Sequence, residues 1–143
     1  MKPLLLFTLL ICVLFGASAS TWSDGELRDG SGNTIGYVKA NGEVRDKSGN
    51  TIGYIKSDGE IRNGSGNTIG YVKSDGEIRD SSSNRIGQIN SDGEVRNKAG
   101  NTIGYVKSNG EVRDKSGNTI GSARGVQPEH AAVFFFFFFN KWE

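Results

Sequence analysis

Between Gly25 and Arg124, apolar and polar positions follow one order that returns every 17 residues, in six copies without insertion or deletion. The copies open at Gly25, Gly42, Gly59, Gly76, Gly93 and Gly110. A fixed period of this kind decides the architecture before any single residue does. In the copy Gly42–Asp58, Glu43-Val44-Arg45 alternates polar, apolar, polar, the period-2 signal of a half-buried strand. Asp46-Lys47-Ser48-Gly49-Asn50 is a cluster of turn formers. Thr51–Lys56 is β-branched and aromatic, and predicts a second strand. Asp58-Gly59 closes the unit, and Asp-Gly or Asn-Gly recurs at each boundary. Between apolar alternations that dipeptide predicts type I′ hairpin turns, with positive φ at both central residues. The chain therefore reads as an antiparallel meander of about twelve short strands.

Alternation also assigns faces. Val44 and its counterparts Leu27, Ile61, Ile78, Val95 and Val112 share one face, with Glu and Arg on the other. In the second strand Ile52 and Tyr54 share a face opposite Gly53 and Ile55. This places the column Ile35, Ile52, Ile69, Ile86, Ile103 and Ile120 in the core. The middle glycine of that strand, Gly53 in this copy, appears in all six copies. Glycine inside a strand marks a bulge or a close backbone approach, so the strands are expected to crowd around a common axis. One hairpin alone is marginal in water, so the units must share a core.

The ends depart from the pattern. Ser20–Asp24 keeps only the end of a preceding unit, with Trp22 at the place of Lys39, and Ser122-Ala123 stands where other copies have Tyr-Val. Pairing of Glu26-Leu27-Arg28 with Thr119–Arg124 would close a ring and remove both open edges. The fourth unit carries Arg85, Gln88 and Asn90 for Thr, Tyr and Lys, and Ser83 for Gly. It is either a worn copy or a specialised face. In Gly125–Glu143, Gln127-Pro128-Glu129 resembles a helix start. Phe134–Phe139 follows, too apolar for water and too short to span a bilayer as a helix. The expected role is a plug, a short helix or strand sealing the ring. A membrane-surface or partner-binding anchor is the alternative.

Met1–Ala19 has the charge, apolar stretch and Ala17-Ser18-Ala19 site of a secretory signal peptide. Cys12, the only cysteine, is followed by further apolar residues and is not read as a lipid anchor. The expected division is residues 1–19 as signal peptide, 20–124 as six β repeats and 125–143 as a Phe-rich tail. The expected location is outside the cytoplasm: periplasmic, cell-surface or secreted. Cleavage leaves a chain without disulfides. It also removes Lys2, so the net charge falls from +1 to 0. With no basic excess, nucleic acid is not an expected partner.

The (S/D)-(D/N)-G-(E/R)-(V/I)-R-(D/N)-x-x-G-N-x-I-G-Y-(V/I)-K unit, the signal peptide and the aromatic C-terminal stretch together resemble the β-flower proteins. These are small secreted bacterial proteins described as four-fold or five-fold β-flowers. The resemblance spans about residues 20–140 and implies an all-β ring of hairpin petals around a central axis. It implies no activity and no site residues. Five complete strand-DG-strand hairpins with a closure, and six equal petals, both fit the chain.

Candidate chemistry is sparse. Asp46-x-Ser48-Gly49-Asn50 lacks the several carboxylates and terminal acid of a calcium loop, so it is read as a turn and no metal is expected. The Glu43/Arg45 column reads as a solvated ion-pair ladder, not as the paired acids of a glycosidase, which need distinct environments. His130, the only histidine, is read as a packed or surface residue rather than a general base. Tyr37, Tyr54, Tyr71 and Tyr105 are either core or an exposed platform that stacks on sugar rings. No catalytic residue and no cofactor is expected. The expected function is an exported, non-catalytic structural or binding repeat module. A glycan or cell-envelope polymer is its candidate ligand, and contact with a membrane through Phe134–Phe139 is the alternative. A polymer hydrolase is the rival from another class.

Overall fold

The computed structural model describes residues 24–139. The expected signal segment Met1–Ala19, with Cys12, as well as Trp22 and residues 140–143, lie outside the described residues. Twelve strands follow one another: β1 Gly25–Asp29, β2 Thr34–Val38, β3 Glu43–Asp46, β4 Thr51–Ile55, β5 Glu60–Asn63, β6 Thr68–Val72, β7 Glu77–Asp80, β8 Arg85–Ile89, β9 Glu94–Asn97, β10 Thr102–Val106, β11 Glu111–Asp114 and β12 Thr119–Ala123. Each pairs antiparallel with its chain neighbours, and β1 pairs β12 through Leu27 with Ala123 and Arg28 with Ser122. The sheet is thus a closed barrel without a free edge. It holds six hairpins, β1β2 to β11β12, joined by five chain-continuous turns and the β1–β12 seam. We call each hairpin a petal.

Both kinds of turn come from short-range chemistry. In Asp46–Asn50 the Gly49 N–H donates to Asp46 O at 3.0 Å, and the Asp46 N–H donates to Asn50 O at 2.9 Å. The Asp46 carboxylate accepts the N–H of Ser48 at 3.0 Å and of Asn50 at 2.9 Å. At the petal boundary the Gly42 N–H donates to Lys39 O at 2.9 Å. Here only Gly42 has positive φ, at 94°, and Asn41 does not. The boundary is therefore not the type I′ turn expected from Asn-Gly. It is a Lys39–Gly42 turn with a left-handed glycine in last place, and Asn41 Oδ1 accepts the Glu43 N–H at 3.0 Å.

The Ile column is a second correction. Val44 pairs Gly53, but Arg45 pairs Thr51, so Ile52 is an extra residue at a β-bulge. The same shift recurs in every petal. Gly53 and Ile55 face inward and are buried, while Ile52 and its counterparts are half-buried at the margin of the core. The core holds the Val44 column, the column Val38, Ile55, Val72, Ile89, Val106 and Ala123, and the tail. Alternation holds from Gly53 to Ile55, but the inward face is that of Gly53 and Ile55 and not that of Ile52 and Tyr54, and the bulge at Ile52 changes only the side on which Thr51 emerges.

The tail fills the barrel. Helix α1, Pro128–Ala132, starts with proline in its first turn and Glu129 beside it. It continues into a π-helical turn, Val133–Phe137, with the Phe138 N–H donating to Val133 O at 2.9 Å. The plug is thus a helix rather than a strand. Ala131, Ala132, Val133, Phe134 and Phe135 are buried, and Phe136–Phe139 are half-buried against the core. Each ring meets one mid-strand glycine: Phe134 at Gly36, Phe135 at Gly121, Phe136 at Gly104, Phe137 at Gly87, Phe138 at Gly70 and Phe139 at Gly53. A Cβ on Gly121 would lie 2.8 Å from Phe135 Cε1, and one on Gly36 would lie 2.7 Å from Arg45 O and 3.1 Å from Phe134 Cζ. No side chain fits there, so the strand glycines are sites of close approach as well as neighbours of a bulge.

Candidate functional site

With the interior packed, chemistry is confined to the outer wall and the two ends. The wall is built by the outward positions of the strands. Glu43 and Arg45 lie two residues apart on β3, and the bulge brings Thr51 of β4 to the same side. Glu43 Oε1 accepts Arg45 Nη2–H at 2.8 Å, and its other oxygen accepts the Thr51 hydroxyl. The arrangement repeats at Glu60, where Arg62 lies at 3.0 Å and Thr68 at 2.5 Å. It returns at Glu26, Glu94 and Glu111. The threonine hydroxyl first, and the arginine second, hold the carboxyls of Glu26, Glu43, Glu60, Glu94 and Glu111 below the usual glutamate range. A general acid needs the opposite shift. These carboxylates are fixed, ionised acceptors.

Tyr54 stands beside this cluster, across from Glu43 on one side and Arg62 on the other. Tyr37, Tyr54 and Tyr71 occupy equivalent outward, half-buried places on three consecutive petals. Gln88 takes the place in the fourth petal, Tyr105 in the fifth and Ser122 in the sixth. None of the four tyrosines belongs to the buried core. The repeat brings together Glu, Arg, Thr and Tyr in each of three neighbouring petals, and it does not converge them in one cleft. Sequence reasoning missed the threonines. Their signal was present, a hydroxyl residue at the start of the second strand in five units, but only the bulge turns it outward.

The fourth petal differs in its contacts. Arg85 replaces the threonine and approaches Glu77 at 3.7 Å. Gln88 donates through Nε2 to Asp75 O at 2.9 Å, and Asn90 donates through Nδ2 to Glu94 Oε1 at 3.2 Å. The end that carries α1 holds His130, which lines shallow clefts beside Lys39–Gly42 and Lys56–Gly59. Burial lowers the pKa of its imidazole, against an opposing pull from Glu129. Among the described residues, no group of three or more His, Cys, Asp or Glu side chains is placed to hold a metal ion. The Asp46 carboxylate is already used by its own turn. Among the described residues, no helix is long and apolar enough to cross a membrane.

Comparison with known proteins adds one finding. The model of a family described as "5-fold beta-flower protein" matches residues 24–139, all of the described chain. Neither a curated protein nor a solved structure matches.

Proposed function

Because this chain belongs to the 5-fold β-flower family, we propose that it is an exported, non-catalytic binding module. Its outer wall presents one polar–aromatic motif per petal to a repetitive polymer, with glycans of the cell envelope as the candidate class. The observation that carries the reading is the wall itself. Tyr37, Tyr54 and Tyr71 stand on adjacent petals, each flanked by an ordered Glu–Arg–Thr cluster. A rigid row of aromatic faces with fixed donors and acceptors matches a chain of repeated sugar rings. Export rests on the Met1–Ala19 pattern. The Phe run is assigned to the core in this reading, since its rings pack against Gly36, Gly53 and their counterparts.

The test is co-sedimentation of purified Ser20–Glu143 with insoluble peptidoglycan, chitin and cellulose. Binding to at least one polymer is expected. It should fall by about tenfold in the Tyr37→Ala/Tyr54→Ala/Tyr71→Ala variant, with the melting temperature held within a few degrees. That loss is about 1.4 kcal/mol of binding energy. Equal binding by the variant, or no binding to any of the three, rejects the wall as a glycan site.

A further inference from the structure

The Phe run and the glycine column agree in number and in order, and no local rule requires either agreement. Six rings meet six glycines. Phe134 faces petal one, and each later residue steps back by one petal, until Phe139 reaches petal two. The circle closes on itself. Phe134 contacts Phe135 edge-on at 5.4 Å, and it also contacts Phe139 at 6.3 Å. An α-helix advances about 100° per residue and would skip petals that stand about 60° apart in a six-petal ring. The π-helical hydrogen bond from Phe138 N–H to Val133 O widens the turn and slows that advance. The first two rings also have a distinct place. Gly36 and Gly121 belong to the petals that meet at β1–β12, the seam without a connecting turn. Phe134 and Phe135 therefore pack across the one joint the chain does not make covalently.

We propose that the barrel lumen is a six-place binding site for phenylalanine rings, filled by the chain's own tail, and that the number of rings sets the number of petals that close. Each place is a glycine, bounded by the carbonyl of an arginine on the next strand: Arg45 O beside Gly36, Arg62 O beside Gly53. A petal without a ring leaves a hole at its glycine, and a ring without a petal is left in water. Both cost stability, and each deficit is corrected by its counterpart.

The test is a matched-deletion cycle on the Ser20–Glu143 chain. One variant lacks Phe139, a second lacks the unit Gly59–Asp75, and a third lacks both. Counting predicts that the five-petal chain with five rings melts at least about 5 °C above the five-petal chain with six, as a monomer. An equal or lower melting temperature, or failure of both five-petal chains to fold, overturns the counting rule. A second cycle keeps the six petals. Gly87→Ala is combined with Phe137→Ala, which removes the facing ring, or with Phe139→Ala, which removes the ring at Gly53. The melting-temperature losses should be less than additive in the first pair and additive in the second. Equal behaviour of the two pairs overturns the ring-to-petal assignment.

Discussion

Asp46 and Asn63 hold equivalent places in two turns, and acid acts on only one of them. Both side chains accept the N–H groups two and four residues on. Asp46 does so with a carboxylate, which the Asn50 N–H above all holds below the usual aspartate range. Asp29, Asp80 and Asp114 are held down in the same way. A carboxylate with a depressed folded pKa adds stability that is complete above its unfolded value, about 3.9. That stability is lost as pH falls through the lower folded value. Amide NMR shifts of Ser48 and Asn50 should therefore move as pH falls below about 4, while those of Ser65 and Asn67 hold still. Equal movement in both turns would refute the carboxylate as the anchor. Glycines separate just as clearly. Gly49 has φ at 89° with open space around it, so Gly49→Ala should cost about 1–2 kcal/mol in backbone strain alone. Gly53 has Arg62 O and a Phe139 ring against it, so Gly53→Ala should cost about 3 kcal/mol, the upper end of overpacking. Ser83 sits where other turns have glycine and has φ at 71°. Ser83→Gly should stabilise by about 1 kcal/mol. Chemical denaturation of the three variants checks the order.

At the scale of the element, the bulge decides what each petal shows to solvent. Thr51 would point inward by simple alternation. With Ile52 inserted it points outward and donates to Glu43. Thr51→Val removes the contact that contributes most to the low pKa of Glu43, so that carboxyl should titrate closer to an ordinary glutamate. Side-chain carboxyl NMR through the acid range checks this, with Glu60 as the internal control, since its own Thr68 is untouched. Much of the petal was legible in the sequence. Glu43-Val44-Arg45 alternated as a half-buried strand must, and Asp46–Asn50 carried its turn chemistry in its own side chains. A bulge or a close approach was legible in the mid-strand Gly53, but the register was not, because Thr51–Ile55 is equally consistent with two. Which register wins depends on Gly53 lying under a ring about 86 residues later in the chain. A local period cannot contain that contact. The outward threonine cluster was hidden for the same reason.

At the scale of the molecule, the tail completes a core that the repeats only surround. The twelve strands supply inward Val, Ile, Leu and Ala side chains, but at mid-strand every petal supplies a glycine. A barrel without its tail would have an apolar lumen that is widest where the wall offers no side chain. Loss of one buried ring, as in Phe135→Ala, should cost about 3–5 kcal/mol, a large share of the stability of a domain this size. Removing all of them is a different matter. A chain ending at Arg124 keeps every strand and every turn between strands, including the residues of the β1–β12 seam. Its petals can still pair, so local hairpin structure can persist. What it loses is the common surface on which six hairpins agree on one closure. The expected result is loss of a single sharp melting transition, with aggregation on heating, while the full Ser20–Glu143 chain melts cooperatively. Calorimetry of the two chains side by side decides the point. A truncated chain that melts in one transition at the same temperature would mean the wall stands on its own hydrogen bonds. The Phe run would then lose its place in the core and become a surface in search of a membrane or partner. The strand glycines make that outcome hard to reconcile with the fold. Six glycines in six strands weaken a sheet that gains nothing from them unless the rings are there.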